Sequence, residues 1–342
     1  MSGALGRPRR PTLVDVAEVA CVSRGTVSRV LNGGKLVSPS ALAAVNAAIR
    51  STGYSANRSA RSLKTGRANL VAFLLTEPDY LYFQDPTVTL LLRAAAQELA
   101  LREIPLSLMV AGSVDEKRRV AEYVAAGHVD GVLMTSRHAS GSLGADLVAC
   151  GVPVVTAGVP LGCETEISYV AADDLGGAEA MVRHLMSRGR STIATITGPS
   201  DSSGGLLRLE GYRRVVGAAY DPSLVAEGDF SRESGAQAMR DLLARRPDLD
   251  AVFVASDLMA AGALSALDSA GRSVPGDVAV AGFDDSGLAE TLHPSLTTMH
   301  QPLDRIAKEM VRLLIAAING EGTSAVTLPV TIVERESTIQ VA

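Results

Sequence analysis

Two adjacent carboxylate pairs, Asp173-Asp174 and Asp284-Asp285, and five histidines, His128, His138, His184, His293 and His300, are the residues of this chain best suited to proton transfer or metal ligation. Each pair follows an apolar strand, where neighbouring side chains project to opposite faces, so the two carboxylates of a pair should diverge. A shared proton or a metal is therefore not expected. The histidines are scattered, and the sequence holds no G-x-S-x-G elbow, P-loop, G-x-G-x-x-G or H-E-x-x-H. The usual signatures of acyl, phosphoryl, hydride and metal chemistry are missing. The expectation is a binding protein without cofactor or metal, not an enzyme. What strand ends can supply instead is a set of polar groups converging on one small molecule.

The elements that must position such groups follow from length and charge. With 342 residues the chain exceeds what one hydrophobic core usually organises, so two or three domains are expected. No run approaches the roughly 18 uninterrupted apolar residues of a membrane span, and residues 1–11 lack the apolar centre of a signal peptide. The expected compartment is the cytoplasm, with no membrane partner. Cys21, Cys150 and Cys163 are an odd count without ligand spacing, and they read as small apolar residues. Charge is informative once divided by segment. Residues 1–67 carry eleven Lys and Arg against only Asp15 and Glu18, while the rest carries 21 basic and 35 acidic side chains. That asymmetry suggests a basic module that meets a polyanion, joined to an acidic body with another task.

The basic module is patterned. Thr12 can cap a helix, LVDVAEVA, whose Leu13, Val16, Ala17 and Ala20 share one face. After the link CVS, Ser23 can cap a second helix, RGTVSRVLN, with Val27, Val30 and Leu31 inward and Arg24, Gly25, Ser28 and Arg29 outward. Gly33 and Gly34 end it. A third helix runs from Ser38-Pro39 through Leu42, Val45 and Ile49 to Gly53. Three short helices with a three-residue link between the first two read as a helix-turn-helix, whose second helix enters the DNA major groove. The following segment, NRSARSLKTGR (57–67), is too short to hold a helix alone, and Leu63 stands there amid Arg58, Arg61, Lys64 and Arg67.

From residue 69 apolar strands alternate with amphipathic helices. NLVAFLL, IPLSLMV, GVLMT and VPVVTA read as buried parallel strands separated by helices near 88–102, 115–126 and 142–150. TIATITG, LVAEGDF, AVFVASD and VAVAGFD repeat the arrangement, with helices near 175–188, 206–219, 231–244 and 257–271. Two such series imply two doubly wound α/β subdomains with ligands at the carboxyl ends of the strands.

The stretch from Thr12 to Arg67 resembles the DNA-binding head of the LacI/GalR family of bacterial transcription regulators. The resemblance continues through GVPVV, AADDLGGAEAMVRHL, RLEGY, EGDFSRESG, ASDLMAAGAL, VAVAGFDDS and HPSLTTMHQPL, nearly to the carboxyl end. It implies an all-α helix-turn-helix head joined to an α/β periplasmic-binding-protein-like core of two doubly wound parallel-sheet subdomains. The expected division is a disordered basic N-terminus (1–11), a helix-turn-helix domain (12–56), a hinge helix or linker (57–67) and an effector-binding and dimerisation domain (68–342).

Implied DNA contacts fall on Thr12, Ser23, Arg24, Gly25, Thr26, Ser28, Arg29, Asn32, Tyr54, Asn57, Ala60, Arg61, Leu63 and Lys64. Paired hinge helices would form on the operator, with Leu63 wedged into the minor groove. Around the cleft the resemblance implies Arg208, Asp257, Asp284 and Gln301, with Phe230 packing on the ligand; apart from it, the loop TEPDYLYFQDP offers Asp85 and a ring from Tyr82 or Phe83. Three departures are plain: Ala56 stands where relatives often have proline, Gly158 where they often have aspartate, and that loop is longer. The implied protein is a dimeric regulator on a palindromic operator of double-stranded DNA, answering to a small-molecule effector, most naturally a sugar of a carbohydrate-utilisation operon. A constitutive regulator with a non-functional cleft, a solute-binding protein and an enzyme fused to a DNA-binding head are the alternatives.

Overall fold

Local hydrogen bonding starts each helix of the basic segment. The structure is a computed structural model that describes residues 9, 11–31, 37–54, 67–76, 85–135 and 143–339. Thr12 caps α1 (Leu13–Val19) reciprocally: Asp15 N donates to Thr12 Oγ1 at 3.4 Å, and Thr12 N donates to Asp15 Oδ2 at 2.6 Å. Ser23 Oγ accepts from Thr26 N at 3.1 Å where α2 (Arg24–Leu31) begins. Ser38, followed by Pro39, starts α3 (Pro39–Thr52), and Gly53 ends it at φ +66°, a conformation glycine adopts without steric cost. Val16, Ala17, Ala20, Val27, Val45 and Ala48 form the core of this head. Leu42 was expected inward but is 44% exposed. It lies in the first turn of α3, at the edge of the stripe centred on Val45 and Ala48.

Contacts divide the chain into a head ending at Ala68 and a body beginning at Asn69. The body makes a first pass through β1 (Val71–Leu75), α4 (Pro86–Ala100), β2 (Leu106–Val110), α5 (Val114–Tyr123), β3 (Gly131–Thr135), α6 (Leu143–Ala149), β4 (Val154–Ala157) and β5 (Ser168–Ala172). A second pass comprises α7 (Asp174–Ser187), β6 (Ile193–Thr197), α8 (Ser203–Val216), β7 (Val225–Glu227), α9 (Arg232–Arg245), β8 (Ala251–Val254), α10 (Asp257–Ser269), β9 (Ala279–Ala281), α11 (Leu288–Thr291) and β10 (Thr298–His300). Then α12 (Leu303–Ile318) and β11 (Ala325–Leu328) return to the first lobe, and β12 (Thr331–Val333) pairs antiparallel with β10 in the second.

The first lobe is a parallel six-stranded sheet in the order β11-β5-β4-β3-β1-β2, and the second a parallel four-stranded sheet in the order β7-β6-β8-β9. Side-chain alternation gives each sheet two buried faces. Val71, Phe73 and Leu75 of β1 pack with α4 and α12, while Ala72 and Leu74 meet Val124, Leu143 and Leu147 on the other side. The chain therefore crosses between lobes three times, near Asp173, Gln301-Pro302 and Pro329-Val330. Among the described residues no helix is long and apolar enough to cross a membrane.

Candidate functional site

Parallel strands end on one side of their sheet, and the helices that follow begin there, so exposed helix N–H groups and strand-end side chains converge. In the body that place is a cavity of about 140 Å³, against the roughly 10–15 Å³ that one water needs. Asp174, Ser202, Ser203, Arg208, Phe230, Ser256 and Asp284 line it from the second lobe; Asp85, Val88, Leu91, Thr135, Gly158 and Val170 line it from the first. Gln301 stands in the second crossing. The second-lobe wall is polar and the first-lobe wall largely apolar.

Arg208, one turn and a half into α8, is buried and fully engaged. Its Nε donates to Asp174 Oδ1 at 2.8 Å and its Nη2 lies 2.7 Å from the same oxygen. Nη1 donates to the Ala255 carbonyl and lies 3.7 Å from Asp284 Oδ1. The guanidinium also stacks over Phe283, with Cζ 3.7 Å from the ring centroid. Gln301 Nε2 donates to Asp284 Oδ1 at 2.7 Å. Burial pushes the Asp284 carboxyl up to about 7; Arg208 pulls against that shift and Asp85 adds to it.

Asp257 belongs one layer behind the wall, which corrects the expectation that it borders the ligand. Its side chain is fully buried, accepting from Thr298 Oγ1 at 2.6 Å and from Asp285 N at 2.8 Å. Burial, and then the neighbouring Asp284 charge, hold it well above the usual carboxylate range. Both aspartate pairs part as expected, but not through strand alternation, since one pair opens a helix and the other has positive φ at both residues. Asp173 caps α7 through Gly176 N at 2.9 Å while Asp174 turns to Arg208. Asp284 faces the cavity while Asp285 pairs with Arg335 at 2.8 Å and His300 at 2.9 Å.

The backbone is held in unusual conformations where the site needs it. Phe230 and Asp284 have φ of +69° and +131°, a region L-residues rarely occupy. Gly198 makes room for the Phe230 ring, whose Cε2 would lie 3.0 Å from an added Cβ.

Asp174, Ser256 and Thr135 are among the polar lining groups that the sequence does not single out. Asp174 reads in the sequence only as half of a carboxylate pair; its position two residues past a strand end, opening a helix, is the available signal. Ser256 was hidden by its adjacency to Asp257. Thr135 Oγ1 is buried and has no hydrogen-bond partner among the described residues, although buried hydroxyls are nearly always paired. A ligand hydroxyl would satisfy it. Tyr82 and Phe83 lie outside the described residues.

In the head, α2 leaves Arg24, Gly25 and Arg29 exposed, with Thr26 and Ser28 half-buried. Arg29 Nε folds back on the Gly25 carbonyl at 3.2 Å. A Cβ at Gly25 would meet Ser23 Oγ at 3.6 Å, an ordinary contact, so the fold does not demand glycine there. Thr12 and Ser23 spend their hydroxyls on helix starts, and Tyr54 packs half-buried against the head core. Arg9 pairs with Asp15 at 3.2 Å. Asn32, Asn57, Ala60, Arg61, Leu63 and Lys64 lie outside the described residues.

Residues 12–57 match the model of bacterial regulatory proteins, lacI family, and residues 182–338 that of the periplasmic binding protein-like domain. The chain is 45% identical over 326 residues to the HTH-type transcriptional regulator CelR of Thermobifida fusca, covering 94% of this chain and 96% of that one. A structure of a transcriptional regulator CelR-cellobiose complex superposes with a TM-score of 0.77 at 42% identity, covering 96% of this chain and all of that one. The lac repressor dimer bound to operator and the anti-inducer ONPF gives 0.85 at 28% identity, covering 97% and all.

Proposed function

The chain belongs to the lacI family of bacterial regulatory proteins, and from that premise we propose that it represses a carbohydrate-utilisation operon and takes a glucose-built disaccharide such as cellobiose as its effector. It is a sequence-specific DNA-binding transcription regulator rather than an enzyme, acting as a homodimer. We assign its working compartment to the cytoplasm, where bacterial DNA lies. The division into head (12–56), hinge (57–67) and effector body (68–342) is part of this reading. So is the placement of α2 in the major groove through Arg24, Gly25, Ser28 and Arg29, with Leu63 as the minor-groove wedge.

The observation that carries the effector reading is the cavity's pairing of fixed polar groups with one aromatic ring. A sugar presents adjacent hydroxyls that donate and accept, matching Asp284, Gln301, Ser256 and the orphaned Thr135 hydroxyl, and it has a C–H face for Phe230. Calorimetry of the full chain with cellobiose and related oligosaccharides tests this, together with operator binding in a gel-shift assay. Binding should weaken at least tenfold in Asp284→Ala and Gln301→Ala. A screen in which no saccharide binds sinks the effector reading while leaving DNA recognition standing.

A further inference from the structure

We propose that the cavity is built to admit uncharged saccharides and to turn away their anionic derivatives, and that Asp174, with Asp85, sets this preference by offsetting the charge of Arg208. The inference rests on the saccharide reading above and deepens it.

Among the described lining residues Arg208 is the one cation, in a lining that also holds the carboxylates of Asp85, Asp174 and Asp284. An arginine in a sugar-sized cavity would ordinarily invite a carboxylate or phosphate, because its fork of donors fits either bidentately. Here three of its five N–H groups are already engaged. Asp174 takes Nε and Nη2 on one oxygen, the Ala255 carbonyl takes Nη1, and Phe283 covers one face of the guanidinium. An anion on the Nε–Nη2 edge would have to displace Asp174, itself buried, and one approaching Nη1 would meet Asp284 Oδ1, 3.7 Å from that nitrogen; either is costly in a desolvated site. The charge sum points the same way. With Asp284 ionised the described lining carries a formal −2, and with Asp284 protonated −1; neither attracts an anion.

The first-lobe wall adds no compensating cation among its described residues. Its polar groups are Asp85, whose carboxylate accepts from Thr87 N at 2.9 Å and Thr87 Oγ1 at 2.6 Å, and the buried, unpartnered Thr135 hydroxyl. An orphaned hydroxyl is answered by another hydroxyl. Asp174 thus acts through Arg208: it holds the guanidinium in place and removes its charge from the cavity's balance.

The test uses matched pairs that differ by one charge: cellobiose with its derivative oxidised to a carboxylate at C6 of the non-reducing ring, and glucose with glucuronate. Calorimetry on the full chain should give affinity for the neutral member at least a hundredfold above the acid. In Asp174→Asn the Arg208 charge is no longer cancelled, and the neutral-to-acid ratio should narrow at least tenfold. Asp85→Asn keeps an acceptor for Thr87 and leaves the Asp174–Arg208 pair in place, so it provides the same readout should the first variant fail to fold. A merely structural role would lower both affinities together and leave the ratio unmoved. Equal or tighter binding of an acid by the native protein overturns the inference alone, as does an unchanged ratio in the folded variants. Failure of every member to bind overturns the saccharide reading and takes this inference with it.

Discussion

Asp284 concentrates several unusual properties in one residue: φ of +131°, near-complete burial and a carboxyl raised to about 7. Its unfolded counterpart ionises near 3.8, so between those values the native state keeps a proton that the unfolded chain has released. Stability therefore falls as pH rises through that window and levels above it. His184 works oppositely, because burial lowers its affinity for a proton that the unfolded imidazole takes up below 6.5. Comparing native protein with Asp284→Asn cancels the histidine. The drop in unfolding temperature from pH 5 to 7.5 should be larger in the native protein, and parallel profiles would show that Asp284 does not carry the effect. In the head, Arg29 is exposed and, among the described residues, bonds to the carbonyl one turn back, so its loss should spare the fold. Read as a base contact, Arg29→Ala should cost about 1–3 kcal/mol on the operator, with less on random DNA. Equal losses on both would reassign it to the phosphates.

Pairs of elements meet where glycine lets backbones touch. An added Cβ at Gly262 in α10 would fall within the Arg232 carbonyl oxygen and 2.8 Å from Ala236 N of α9; Gly235 of α9 stands in the same relation to Met259. Gly262→Ala must push the two helices apart at their crossing. The expected penalty is about 1–3 kcal/mol, the usual cost of overpacking, read as a lower denaturation midpoint with an unchanged slope. A midpoint equal to the native value would mean the crossing has slack. Both glycines sit in segments, ESG and AAGAL, whose small residues were visible in the sequence, but only the structure pairs them. Strands of five buried residues such as GVLMT were legible at their bounds, because a continuous apolar run between breakers has few other readings. The three-residue strands β10 and β12 are too short for alternation to show, whereas β9, equally short, is marked by the apolar run VAVAGFD around it. The amphipathic helix α12 went unassigned because the strand-helix series appeared complete before it, and its return to the first lobe is a fact of topology.

Three crossings make the two lobes of the body one mechanical unit, and the cavity groups are seated on or beside them. Asp174 directly follows the first crossing and Gln301 occupies the second. Val330, in the third, packs against both the first-lobe core and the second-lobe core that contains Phe283, the ring beneath Arg208. None of this was readable as a pattern, since a crossing point is set by which sheet a strand joins and not by its own residues. A ligand on Asp284 and Gln301 would thereby touch groups from which contacts run to the junction of the lobes. If the effector favours one lobe arrangement and the operator another, each must change the other's affinity by the same factor. That factor should appear identically when cellobiose affinity is measured with and without operator, and when operator affinity is measured with and without cellobiose. Val330→Ala removes contact from both cores at once while touching neither the cavity lining nor the head's α2. It should shift the coupling factor by roughly 2- to 30-fold, the span of about 0.5–2 kcal/mol, and alter cellobiose affinity of the DNA-free protein far less. A variant with native coupling would show that the third crossing transmits nothing, leaving the first two crossings to carry the signal.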